Sequence, residues 1–172
     1  MEIKKYTLED KAEFEKVVDF FEMQKKNGII IKPSIFKFRP AFSKPDESFL
    51  FAQNPVNQAI LGILSYSVVL PNSKGKLRED VCIFPLSNSA LEYRFNGKFA
   101  WINSLESFPA RQGVGTQLVS EIKSPLDFSG IYTIPAYAAR DFYTKNYFVA
   151  VDHLCNQQGV ISMLWRRDGF YL

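Results

Sequence analysis

The sequence predicts an α+β domain over residues 1–172, an α/β three-layer arrangement in which a mixed, mainly antiparallel central sheet carries helices on both faces. Three observations predict it. Strand-like and helix-like segments follow in the order β, α, an undecided stretch, β, β, β, α, β, α, β, β. An Asn96-Gly97 pair stands between two apolar runs, as a type I′ hairpin turn requires. The chain is 47% hydrophobic and 15% aromatic, with sixteen phenylalanines, so its core must be built largely from rings.

The elements follow in chain order. Glu2–Tyr6 reads as a first strand, and Thr7 with Asp10 three residues on reads as a capping box opening a helix over Leu8–Asn27. Phe14, Val17, Val18 and Phe21 recur there at helical spacing, Lys25 and Lys26 suit the negative end of the dipole, and Gly28 supplies a stop. Ile29–Asp46 holds three prolines among aromatics and reads as a second short helix or an irregular packed loop. Ser48–Gln53, the turn Asn54-Pro55-Val56-Asn57 and Ala59–Leu70 make an antiparallel hairpin.

Pro71–Lys76 is a polar break, and Val81–Leu86 is an extra strand or a surface excursion. Ala90–Phe95 and Lys98–Phe108 flank the Asn-Gly turn. Gly113-Val114-Gly115 then opens a helix of about ten residues whose apolar stripe is Leu118, Val119 and Ile122. Ser124–Ser129 reads as a loop and Gly130–Ile134 as a strand. Pro135 precedes a helix to Asn146 with i, i+4 pairs Ala138/Phe142 and Ala139/Tyr143. Tyr147–Leu154, a turn at Asn156-Gln157-Gln158-Gly159 and Val160–Arg166 form a terminal hairpin.

Composition removes several chemistries. His153 is the one histidine and Cys82 and Cys155 are the two cysteines, without C-x-x-C spacing. No two-Cys, two-His zinc site can be assembled, and imidazole-dependent hydrolysis would rest on His153 alone; no metal is expected. Twenty-one Lys plus Arg against eighteen Asp plus Glu leave a net charge of +3, too slight for a nucleic-acid footprint. The start, Met1-Glu2-Ile3-Lys4-Lys5, lacks a signal's apolar stretch, and no run reaches the roughly 20 apolar residues of a membrane helix. The expected location is the cytoplasm.

The informative segment runs from Trp101 through Val119. A strand feeds a glycine turn and then a helix, so several backbone N–H groups converge at a helix N-terminus, where the dipole favours an anion. It is no P-loop, since no Gly-Lys-Ser/Thr follows, and no dinucleotide fingerprint, since a third glycine is missing. About thirty residues on stands Ala139-Arg140-Asp141-Phe142-Tyr143-Thr144-Lys145-Asn146-Tyr147-Phe148.

Together these motifs resemble the GNAT superfamily of acyl-CoA N-acyltransferases, in which a strand leads to a Q/R-x-x-G-x-G/A turn and helix, followed by A-x-x-F-Y-x-x-x-G-F. The resemblance spans Ser48 to Arg166. It implies that the backbone of Arg111, Gln112, Gly113, Val114, Gly115 and Thr116 cradles the pyrophosphate of acetyl-CoA. It implies too that the main chain from Leu105 to Ser107 pairs with the pantetheine arm where neighbouring strands splay. Tyr143 matches the family tyrosine that protonates the leaving thiolate, and Arg140 and Lys145 are candidate phosphate contacts. Glu106, on the strand leading to the turn, is the candidate base for the amine, or else a solvent-facing strand residue.

Three positions depart from the pattern. Ala110 stands at the Q/R position, Ala136 where an Asn is frequent, and Tyr147 at the glycine of G-F; a tyrosine needs no positive φ, which predicts a different helix end. The resulting reading is an N-acetyltransferase acting on a small-molecule or protein primary amine in a ternary complex. The alternative is a catalytically silent CoA-binding or protein-interaction module of the same fold. An acetyltransferase or binder directed at RNA has no basic block to support it. Ile29–Asp46 and Pro71–Ser89 are the segments available for an acceptor pocket or a homodimer contact.

Overall fold

Why the chain folds as it does is clearest from its rings. In a computed structural model, which describes residues 1–27, 47–69, 98–108, 112–124, 127–150 and 163–167, Phe14 is fully buried. Its ring centroid lies 4.5 Å from Phe49, 5.6 Å from Phe51 and 6.0 Å from Tyr6. The strands are β1 (Glu2–Tyr6), β2 (Glu47–Gln53), β3 (Ile60–Val69), β4 (Lys98–Ser107), β5 (Phe128–Thr133), β6 (Val149–Ala150) and β7 (Met163–Arg166). The helices are α1 (Lys11–Lys26), α2 (Val114–Lys123) and α3 (Arg140–Lys145), with 3-10 turns at Leu8–Asp10 and Tyr137–Ala139.

The sheet order is β1-β2-β3-β4-β5-β7-β6. Of the described ladders, β4–β5 is parallel and β1–β2, β2–β3, β5–β7 and β6–β7 are antiparallel, the mixed α+β sheet expected. Contacts divide the chain into two units: Met1–Ser67 with Asn103–Glu121, and Val68–Ile102 with Ile122–Leu172.

In the first unit the ring cluster is completed by Ile60 and Ile63, with Val17, Val18 and Phe108 against it. Burying one such ring stabilises by about 1.5–3 kcal/mol. The helix expected over Leu8–Asn27 opens instead as a 3-10 turn. There the Asp10 carboxylate accepts the Thr7 backbone N–H (2.8 Å) and hydroxyl (2.9 Å), the reciprocal half of a capping box. The hairpin of β2 and β3 forms with a bulge at Ala52/Gln53. Its turn is closed by side chains: Asn54 Oδ1 accepts the Val56 N–H, Asn57 Oδ1 accepts the Ala59 N–H, and Gln58 takes φ +59°.

In the second unit β5 starts two residues earlier than expected, inside the segment read as the loop Ser124–Ser129. Arg167 explains the extension. Its Nε donates to Phe128 O at 3.0 Å, and its backbone N–H donates to Ser129 O at 3.1 Å. Gly130 suits this strand because a Cβ there would lie 2.8 Å from Trp165 O and 2.9 Å from Phe99 Cε1. Trp101 and Tyr132, partners in the parallel ladder, stack with centroids 4.4 Å apart.

The expected helix through Asn146 is a 3-10 turn followed by α3, and the terminal hairpin is β6 and β7 in its described part. Ile29–Asp46, Pro71–Ser89, Val81–Leu86, Ala90–Phe95, the Asn96-Gly97 turn, Arg111, Asn156–Gly159 and the residues Cys82, His153 and Cys155 lie outside the described residues.

Candidate functional site

Along β4 the environment changes midway. Phe99, Ala100, Trp101 and Ile102 are buried, Asn103 is exposed, and Ser104–Ser107 are half-buried. The ladder with β5 ends at Ile102↔Thr133, whereas β4 runs on to Ser107. Just beyond, the Phe108 N–H donates to Leu61 O. Gly113 then adopts φ +76°, and a Cβ placed on it meets nothing within 4 Å. Its value is therefore conformational: it turns the chain with open space in front of it.

The first intrahelical bond of α2 runs from the Gln117 N–H to Gly113 O at 3.0 Å. The N–H groups of Val114 and Gly115 precede it and point out of the helix end, the geometry that suits an anion. Val114, Leu118, Val119 and Ile122 are buried along one side of α2. Close approach to β3 depends on Gly62, where a Cβ would lie 2.6 Å from Val114 Cγ1, 3.0 Å from Glu106 O and 3.1 Å from Leu118 Cδ1. On β4, Asn103 Nδ2 donates to Ser67 Oγ at 3.0 Å and lies 3.4 Å from Glu47 Oε1.

In the second unit, Tyr143 of α3 is 5% exposed, its ring edge-on to Phe142 (5.1 Å) and Phe148 (5.2 Å). Burial pushes its phenol above the ordinary value, and a hydrogen bond with the Thr133 hydroxyl pulls it part of the way back. The end of α3 departs from the sequence expectation. Tyr147 does take a left-handed backbone, φ +62°. Its N–H donates to Thr144 O and the Phe148 N–H donates to Tyr143 O, both at 3.0 Å, which is the Schellman arrangement a glycine would make. The Phe148 ring against Tyr143 is the apolar contact that goes with it. Among the described residues no three His, Cys, Asp or Glu side chains gather as a metal site.

No protein-family model matches the chain, and no curated protein matches it in sequence. Solved structures do match in shape. Tetrahymena GCN5 superposes with a TM-score of 0.58 at 12% identity, covering 96% of each chain. Arabidopsis thaliana NAA60 in complex with acetyl-CoA gives 0.51 at 16% identity, over 97% of this chain and 98% of that one. The Bacillus subtilis N-acetyltransferase YlbP in complex with coenzyme A gives 0.50 at 16%, over 97% of each. The fold is that of the GNAT acetyltransferases.

Within this GNAT fold the first unit holds Leu105, Glu106 and Ser107, half-buried at the end of β4, and exposed Gln112 and Gly113. It also holds buried Val114 and Gly115 and exposed Thr116. Gly62 touches both groups, since its Cβ direction points at Glu106 O and Val114 Cγ1. Tyr143 and Arg140 belong to the second unit. Arg140 is half-buried as a residue, its guanidinium carbon 4.7 Å from the Tyr137 ring centroid.

Sequence reasoning passed over Thr133, Gly62 and the Glu47–Ser67–Asn103 row. For Gly62 a signal was available, because a lone glycine inside a strand marks a close approach of another element. For the other residues there was none, since their partners are remote in sequence.

Proposed function

We propose that the chain is an acetyl-CoA-dependent N-acetyltransferase that moves an acetyl group to a primary amine by direct attack in a ternary complex. The observation that carries the reading is β4, which outruns its ladder with β5 and delivers the chain into the Gly113 turn and α2. The solved complexes of Arabidopsis NAA60 with acetyl-CoA and of YlbP with coenzyme A support the choice of ligand. Acetyl-CoA would supply an acetyl group activated as a thioester.

The chain's own residues then have separate tasks. Backbone N–H groups from Arg111 to Thr116 hold the pyrophosphate, the open space before Gly113 leaves room for it, and Arg140 adds positive charge. Leu105 and Ser107 offer main-chain groups to the pantetheine amides in the manner of an added strand. Tyr143 gives its proton to the departing sulfur; its buried phenol, raised in pKa, keeps that proton through the neutral range. Glu106 takes the amine proton, directly or through water.

Calorimetry with acetyl-CoA and free-thiol release against primary amines test the reading together. Binding that Gly113→Glu or Gly115→Glu abolishes, with thiol release that Tyr143→Phe slows while affinity holds, is the expected pattern. Absence of binding at tens of micromolar overturns it. Binding without thiol release from any amine leaves a silent CoA-binding module instead. One ground for that module falls away with Tyr147, which meets the glycine's conformation.

A further inference from the structure

Asn103 is exposed directly after four buried residues of β4, at the place where the β5 ladder has ended. Its amide donates to Ser67 Oγ at 3.0 Å and approaches Glu47 Oε1 at 3.4 Å. Glu47 and Ser67 are direct partners in the β2–β3 register, so carboxylate, hydroxyl and amide form a row across three strands. The next pair along that register on this side is Phe49 with Ser65, followed by Phe51 with Ile63. The polar row thus adjoins the ring cluster: the fully buried Ser67 hydroxyl is satisfied by the Asn103 amide, while the contact of that amide with the Glu47 carboxylate is exposed and so within reach of a solute.

We infer that Glu47 and Asn103, with Ser67 holding the amide, form the acceptor subsite and select a cationic primary amine. The inference rests on the acetyltransferase reading, which fixes where the acceptor must come. With phosphates at the Gly113 turn and the pantetheine arm along Leu105 to Ser107, the acyl end arrives beside the residues preceding Leu105. Asn103 is two residues back, about 7 Å along a strand.

The chemistry of the row suits that ligand. The Asn103 NH2 group is engaged with Ser67 and Glu47, which leaves Oδ1 as an acceptor, and the Glu47 carboxylate is an acceptor as well. Oxygens on two strands match an ammonium with three N–H donors, and the carboxylate adds charge complementarity. A phosphate or carboxylate group beside the reacting amine would be repelled.

The test uses the intact chain with ethanolamine, spermidine and a short peptide bearing a free amino terminus. For the best of these, Glu47→Gln should raise the amine KM about tenfold, the loss of roughly 1.4 kcal/mol of charge pairing. Asn103→Ala should raise it less, and Glu47→Asp should recover part of the loss. The Kd for acetyl-CoA should not move in any variant, and added salt should raise KM in the parent more than in Glu47→Gln. Unchanged amine KM in Glu47→Gln and Asn103→Ala, with acetyl-CoA bound and turned over, overturns the subsite and leaves the enzyme reading standing.

If acetyl-CoA binds but no amine is turned over, calorimetry of the same amines on the CoA-loaded protein decides. Uptake lost in Glu47→Gln supports the subsite, and uptake absent or unaltered overturns it. Failure to bind acetyl-CoA removes both readings.

Discussion

Lys123, the last residue of α2, places its Nζ 2.5 Å from the main-chain oxygen of Asn146, the C-terminal cap of α3. Three ring centroids surround the same ammonium, Trp165 at 5.0 Å, Phe148 at 5.1 Å and Tyr147 at 5.8 Å. A cation at a helix C-terminus is favoured by the dipole, and the ring faces add to it. The end of α2 is treated alike, since Arg167 Nη2 donates to Lys123 O at 2.9 Å.

This placement makes stability depend on alkaline pH. Burial lowers the Lys123 amine from 10.5 to about 8. Between those values the unfolded chain holds a proton that the folded chain has released, so this group's contribution to stability rises with pH from about 8 to 10.5. Below 8 the net cost of keeping the buried amine charged is present in full, the contacts with Asn146 and the rings offsetting only part of the desolvation. Lys123→Met should flatten the slope of denaturation midpoint against pH over that window; an identical slope in the variant contradicts the assignment.

At Tyr147 the usual helix ranking of alanine over glycine should be reversed. Tyr147→Ala keeps the left-handed strain and loses the ring beside Lys123, whereas Tyr147→Gly loses the ring and the strain together. Glycine should therefore be more stable than alanine by about 1 kcal/mol, measured by urea denaturation.

Gly62→Ala puts a methyl 2.6 Å from Val114 Cγ1 and 3.0 Å from the Glu106 carbonyl. One neighbour is backbone, so the strain cannot be relieved by a side-chain turn alone. The expected loss is about 1–3 kcal/mol in thermal or chemical denaturation. Because Val114 opens α2, acetyl-CoA affinity should fall with it. Gly113→Ala, by contrast, meets no atom and should cost about 1 kcal/mol from its φ alone.

Thr133→Val removes the hydroxyl that holds the Tyr143 phenol down. An ultraviolet-monitored titration should show one tyrosine moving to higher pH, and Tyr143→Phe should delete that same transition. A tyrosine profile unaltered by Thr133→Val would break the link between the two residues.

Several elements were legible in local patterns. Thr7 with Asp10, Phe14 with Val17 and Val18, the β2–β3 hairpin and the glycine turn before Leu118 are signals carried within a few residues. The misses lie elsewhere. Phe128 and Ser129 read as loop because the arginine that extends their strand is 39 residues from Phe128. Asn103 gave no sign of its partners because Ser67 and Glu47 are 36 and 56 residues away. The insertion of β7 between β5 and β6 is likewise a pairing choice that no periodicity encodes.

The close of α3 asks its residue for a dihedral angle, and glycine is only the least strained way of supplying it. A tyrosine meets the same demand here, its ring beside the ammonium of a lysine from another helix and the next residue, Phe148, anchored on Tyr143. Patterns written in letters register a mismatch at such a position, while the geometry they were written to detect is intact. In this chain what residue 147 contributes to the helix end is a torsion.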